Sequence, residues 1–107
     1  AVAPLAVVNL GLNTRHAMNW QCWLRDTGYD PGTIDGLLGT SSWKAAQRKF
    51  DALGYYDDSI DGIVGPNTIR ALQRYLNLQG ANLAVDGVAG SATTAAFWEF
   101  TGRFNTC

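Results

Sequence analysis

The sequence predicts an all-α fold: a small bundle of about four short helices joined by repeated Asp-Gly loops. Three observations carry this. An apolar-Asp-Gly-x-x-Gly hexapeptide occurs three times, as Ile34-Asp35-Gly36-Leu37-Leu38-Gly39, Ile60-Asp61-Gly62-Ile63-Val64-Gly65 and Val85-Asp86-Gly87-Val88-Ala89-Gly90. Its aspartates lie 26 and 25 residues apart, a period that marks one supersecondary unit stacked on copies of itself. Each copy is followed by a stretch with apolar side chains at helical spacing.

The leading helix is expected over about 14–25. Val8-Asn9-Leu10-Gly11-Leu12-Asn13-Thr14 aligns with Ile34 to Thr40 as a worn copy of the turn, with Asn9 for Asp and Asn13 for Gly. Both substitutes are turn formers. In the three full copies, Gly36, Gly62 and Gly87 are expected at positive φ, where a Cβ would clash. Asp35, Asp61 and Asp86 fold their carboxylates onto nearby backbone N–H groups. The two apolar residues after each glycine, Leu37-Leu38, Ile63-Val64 and Val88-Ala89, are expected to anchor the turn in the core. Gly39, Gly65 and Gly90 then launch the helices, with Pro66 at a first helical position and hydroxyls of Thr40 and Ser91 at the matching places.

A second helix over about 40–53 carries the stripe Trp43, Ala46, Phe50, Leu53. A third over 66–78 carries Ile69, Leu72, Leu76, with Tyr75 beside it. A fourth over 91–102 carries Ala96, Phe97, Phe100, with Trp98 adjacent. Gly54 and Gly80 suit the left-handed position past a helix end. Gln21, Gln47 and Gln73 share one position, and Glu99 is read as the fourth member. The repeat units fall at about 9–33, 34–59, 60–84 and 85–107, within a single domain spanning 1–107.

A chain of 107 residues buries roughly two-thirds of its unfolded surface, enough for one modest core. With 47% hydrophobic and 16% charged residues it is not disordered in composition. The formal net charge of −1 and the lack of any basic run argue against nucleic acid and anionic membrane partners. Leu5 to Val8 is too short to span a bilayer. Ala1-Val2-Ala3-Pro4 reads as an N-terminus left by signal-peptide removal. The two cysteines, Cys22 and Cys107, read as one disulfide in an exported chain. Such a bridge would contribute roughly 4 to 5 kcal/mol by loop closure.

The segment Gly54-Tyr55-Tyr56-Asp57-Asp58-Ser59-Ile60-Asp61-Gly62-Ile63-Val64-Gly65-Pro66-Asn67-Thr68 resembles the peptidoglycan-binding domain family, small helical modules of bacterial cell-wall hydrolases. Gly28 to Gly39 follows the same pattern with Thr40 in place of the proline, and Val85 to Thr93 keeps Asp-Gly-x-x-Gly without the Tyr or the Pro. The likeness spans roughly residues 14–100. The third turn, the extra helix and the Cys22/Cys107 pair depart from the family pattern. The resemblance implies a secreted or wall-associated, non-catalytic module that binds bacterial glycan or stem peptide as a monomer. A second reading is an extracellular protein-interaction domain, such as an inhibitor or regulator of a secreted enzyme.

The chemistry-bearing residues fit a binder better than a catalyst. A glycosidase needs two carboxyls facing one bond, one in a dry site; Glu99 is the sole Glu, and the three Asp share a turn role. His16 is the sole His, too few for a zinc hydrolase, and reads as a surface residue. No cofactor or metal is expected. Tyr29, Tyr55 and Tyr56 stand at the loop starts, where a ring can pack on a sugar's C–H face. Tyr29 and Tyr55 serve equally well as caps over the helix ends, so Tyr56 is the expected exposed ring. Asp57 and Asp58 could accept bonds from hydroxyls or amides, and Arg48 could meet a stem-peptide carboxylate, as could Arg70 and Arg74. Of Trp20 and Trp23, one is expected in the core and the other over the disulfide; Trp43 belongs to the core stripe.

Overall fold

The computed structural model describes residues 7–104. It contains four helices, α1 (Thr14–Asp26), α2 (Thr40–Ala52), α3 (Pro66–Leu78) and α4 (Ser91–Gly102), and no strand among the described residues. The fold is all-α, and each helix stands within two residues of its expected bounds. The segment Ala1 to Pro4 and Cys107 lie outside the described residues; Cys22 is fully buried on α1.

Local chemistry explains the helix ends. Asn13 caps α1, its side chain accepting from His16 N–H at 2.8 Å. Gly39, Gly65 and Gly90 are the other N-caps, all with extended backbone and no side-chain cap bond. Pro66 occupies the first turn of α3, where its missing N–H leaves nothing unpaired. Gly28, Gly54 and Gly80 follow α1, α2 and α3 at φ of +101°, +81° and +106°. The residue after each returns its N–H to a carbonyl five positions back, Tyr29 to Leu24, Tyr55 to Phe50 and Ala81 to Leu76.

The three Asp-Gly corners share one hydrogen-bond pattern, centred on a glutamine amide of the preceding helix. In α2, Gln47 Oε1 accepts from Asp61 N–H at 3.0 Å and Gly62 N–H at 2.8 Å. Its Nε2 reaches Asp61 Oδ1, the Ile63 carbonyl and Thr68 Oγ1, each at 3.1 Å. Gln21 makes the equivalent bonds to Asp35, Gly36, Leu37 and Ser42. Gln73 makes them to Asp86, Gly87, Val88 and Thr93. All three glutamines are buried, so this satisfaction is obligatory. Each Asp adds a local brace: Oδ1 accepts from the N–H two residues on, at 2.9 to 3.0 Å.

The corner glycines are fixed for two reasons. Gly36, Gly62 and Gly87 have φ of +76°, +73° and +77°. Each also abuts the start of the helix behind it, so that a Cβ on Gly62 would lie 2.6 Å from the Thr40 carbonyl oxygen. The worn leading copy bends at the same place, with Leu10 at φ +50°, but Gly11 after it is also positive, at +89°, where the full copies have no positive φ. Asn9 ties that copy to the first corner, donating to the Gly36 carbonyl and accepting from Leu38 N–H, each at 2.9 Å.

The helices pack in a closed ring, α1 on α2, α2 on α3, α3 on α4, and α4 back on α1. Trp20, Trp43, Phe50 and Phe97 fill the centre. Trp20 meets Phe97 edge-on at 4.9 Å and Trp43 at 5.0 Å, favourable geometry for aromatic pairs. Trp23 is half-buried against Tyr75 and Phe100.

Three expectations are corrected. Leu37, Ile63 and Val88 do not anchor the corners: they are 54%, 58% and 63% exposed, while of the residues that follow them Leu38 is buried and Val64 packs partly against the core. A tight corner points consecutive side chains apart, so one of two apolar neighbours must face solvent. Leu53 is likewise exposed, because α2 ends before it. Finally, Glu99 is not the fourth glutamine equivalent. Gln21, Gln47 and Gln73 each stand seven residues after the first residue of their helix, and in α4 that place holds Trp98. The third loop is one residue shorter, which shifts the register.

Two substitutions separate these effects. Gln47→Ala leaves buried corner groups unpaired and should cost roughly 2 to 4 kcal/mol, read from the urea midpoint. Gly62→Ala should cost more than about 3 kcal/mol, since strain and collision combine. Gly54→Ala, with open space around it, should cost only about 1 to 2 kcal/mol.

Candidate functional site

The shared corners produce three equivalent clefts. Each is bounded by the corner aspartate, the exposed aliphatic residue two positions on, the N-cap glycine and the first turn of the next helix. The first cleft is lined by Asp35, Leu37, Gly39 and residues 40–42, the second by Asp61, Ile63, Gly65 and residues 66–68, and the third by Asp86, Val88, Gly90 and residues 91–93. Their volumes are about 340, 370 and 260 Å³, around the lower end for ligand sites, roughly 300 Å³. Such spaces suit one or two sugar rings or a short peptide segment.

The walls offer three kinds of contact. A helix start presents backbone N–H groups without intrahelical partners, which favour carboxylate or hydroxyl oxygens. The corner aspartates are exposed on the opposite side. Leu37, Ile63 and Val88 supply an aliphatic rim. The copies differ at their edges. The first adds Val7, Pro31 and Thr33. The second adds Tyr56, Asp58 and Arg70, and the Arg70 guanidinium also reaches the third corner beside Gly87 and Asp86. The third adds Leu83 and Ala84.

Among the expected ligand residues, Tyr56 and Asp58 reach a cleft. Tyr56 is not the exposed ring: it is 5% exposed, and its hydroxyl donates to the Ser59 carbonyl. Burial pushes its phenol pKa up. The sequence resembled a loop position, but the corner folds back over it. Asp58 accepts from Asn67 Nδ2 at 3.0 Å and Ser59 N–H at 2.8 Å, which hold its carboxyl below the usual range. Asn67 in turn accepts from Arg70 Nη1 at 2.8 Å, so an Asp58–Asn67–Arg70 chain borders the second cleft.

Tyr29, Tyr55, Asp57 and Arg48 lie away from the three clefts. Tyr29 and Tyr55 are half-buried against the core. Lys49 Nζ stands 4.8 Å from the Trp23 ring centre and 5.5 Å from that of Tyr29, and burial lowers its pKa. Arg74 donates to the Tyr55 carbonyl. Asp57 and Arg48 are exposed. His16 stacks on Trp98 with ring centres 3.7 Å apart. No group of three or more His, Cys, Asp or Glu that could hold a metal occurs among the described residues. No helix among them is long and apolar enough to cross a membrane.

The aliphatic rim was absent from the sequence reading. Its signal was the recurrence of Leu37, Ile63 and Val88 in register, which a core role explains equally well until burial is known. Residues 40–97 match the family model described as putative peptidoglycan binding domain. No curated protein and no solved structure matches the chain.

The Asp86 carboxylate gives the domain an acid limb. Asp86 is held below its ordinary value of 3.8, first by Val88 N–H and then by the Gln73 amide. A depressed carboxyl contributes stability above its unfolded pKa and loses it as pH falls through the folded value. On acidification below 3.8 the wild type should therefore lose stability more steeply than Asp86→Asn, which keeps an acceptor oxygen. Unfolding curves at a series of acid pH values check this.

Proposed function

Because the chain belongs to the peptidoglycan-binding domain family, its model matching residues 40–97, we propose that it is a secreted, non-catalytic wall-binding module. The observation that carries this reading is the threefold cleft: one set of contacts, present in three copies. A repeating partner is what such a set would suit. Glycan strands repeat a sugar pair and carry a stem peptide at regular intervals.

The chemistry of one cleft matches both parts of that polymer. The face of a sugar ring or an alanyl methyl packs on Leu37, Ile63 or Val88. Carboxylate or hydroxyl oxygens accept from the helix-start N–H groups. Hydroxyls, amides or amines donate to Asp35, Asp61 or Asp86. Each cleft is open and small, so a single contact is weak, and tethered contacts reinforce one another through effective concentration. The second cleft, with Tyr56, Asp58 and Arg70, is the proposed principal seat. The Cys22–Cys107 disulfide belongs to the same proposal, as the cross-link of an exported chain.

Nothing in this chemistry cleaves a bond. The corner aspartates each serve a backbone turn, and Glu99 pairs with Arg103 at 3.1 Å on the opposite end of α4.

Retention on purified sacculi tests the reading. The wild type should cosediment at low salt and leave sacculus turbidity unchanged. Ile63→Asp, an exposed substitution, should keep the fold by circular dichroism and lose most of the retention. Loss of turbidity would count against a non-catalytic role. Failure of the folded wild type to sediment would overturn wall binding.

A further inference from the structure

A fourth cavity has a different origin. The helix-end motif occurs three times as Gly28-Tyr29, Gly54-Tyr55 and Gly80-Ala81, with the glycines all at positive φ. In each, the second residue donates its N–H to the carbonyl five positions back, at 2.9, 2.8 and 3.0 Å. The backbone path is shared, and the side chain is not. Tyr29 and Tyr55 lay their rings against the core beside the next helix. In the third copy the side chain is a methyl group, and the niche between the end of α3 and α4 is a cavity of about 240 Å³.

Leu76, Ala81, Leu83, Ala95, Ala96 and Phe100 form its apolar lining. Arg103 stands among the residues that line it, held by the Gln79 carbonyl at 3.0 Å and by Glu99 at 3.1 Å. The volume is below the roughly 300 Å³ at which drug-sized sites begin. It has room for a single ring. A planar ring gains from an edge or offset contact with Phe100, and a phenol oxygen finds the Arg103 guanidinium within the same lining.

We infer that this cavity is a socket for a tyrosyl side chain supplied by a partner polypeptide, in the place that the chain's own tyrosines fill in the two sister copies. The socket adjoins the third corner cleft, with which it shares Leu83, and shares no lining residue with the first two; the inference does not rest on wall binding.

The test is an amide chemical-shift titration of the full chain with N-acetyl-tyrosinamide at millimolar concentration. Saturable shifts are expected at Ala81, Ala96 and Phe100, with the first and second corner clefts unmoved. Ala81→Tyr should supply the ring internally, raise the melting temperature and abolish those shifts. Ala96→Leu narrows the same niche from the helix side and should also abolish them, which keeps the test decisive if the first variant misfolds. Absence of shifts in the wild type overturns the inference. So do undiminished shifts in a folded filled variant, or a larger response of the same residues to N-acetylglucosamine than to the tyrosyl probe.

Discussion

A single buried amide group organises each corner. Tight turns expose successive N–H groups that face inward, where water cannot reach them, and every such group needs a partner. A glutamine side chain offers an acceptor and two donors in one plane, on a stem long enough to cross from helix to loop. Gln21, Gln47 and Gln73 each use the acceptor for the Asp and Gly N–H groups and the donors for the aspartate, a carbonyl and a hydroxyl. Asparagine would be one methylene short, and glutamate would meet the aspartate with like charge. The clefts inherit their shape from this arrangement, since the corner fixes where the aliphatic rim and the next helix start must stand.

Much of the fold was written in spacing. The Asp-Gly hexapeptides set the corners, the apolar periodicity set the helices, and Gly54 and Gly80 set helix ends, because each of these features acts over a few residues. What spacing could not convey was which way a side chain faces once the loop is closed. Leu37 and Leu38 are equally apolar, yet one is in the core and the other on the surface. Tyr56 looked like an exposed loop residue and is packed inside, because Ser59 and Thr68 come back around it. Glu99 was misassigned for a related reason: counting by loop period hides a one-residue shortening that counting from the helix start reveals.

The candidate site was legible only in part. The family pattern in Gly54 to Thr68 pointed to the right module, and the match over residues 40–97 places the chain in that family. The individual ligand residues were harder, because aromatic rings at helix ends serve packing and binding by the same apolar chemistry. Tyr29 and Tyr55 are half-buried against the core and lie outside the three clefts. The clefts depend instead on aliphatic residues that carry no chemical signature of their own, and on backbone N–H groups that no side chain announces.

The stack also has a built-in end. At the place where three helices carry an amide, α4 carries Trp98, which has no group able to hold a further corner, and its indole is occupied by the imidazole of His16. That imidazole in turn bonds the Thr101 hydroxyl at 3.0 Å, and Asn19 donates to the Thr101 carbonyl at 3.0 Å. The last helix is thus turned back onto the first instead of onward to another unit. In a ring closed this way, one aromatic side chain stands where a further corner would need its amide, so the bracing pattern of the first three helices does not extend through α4.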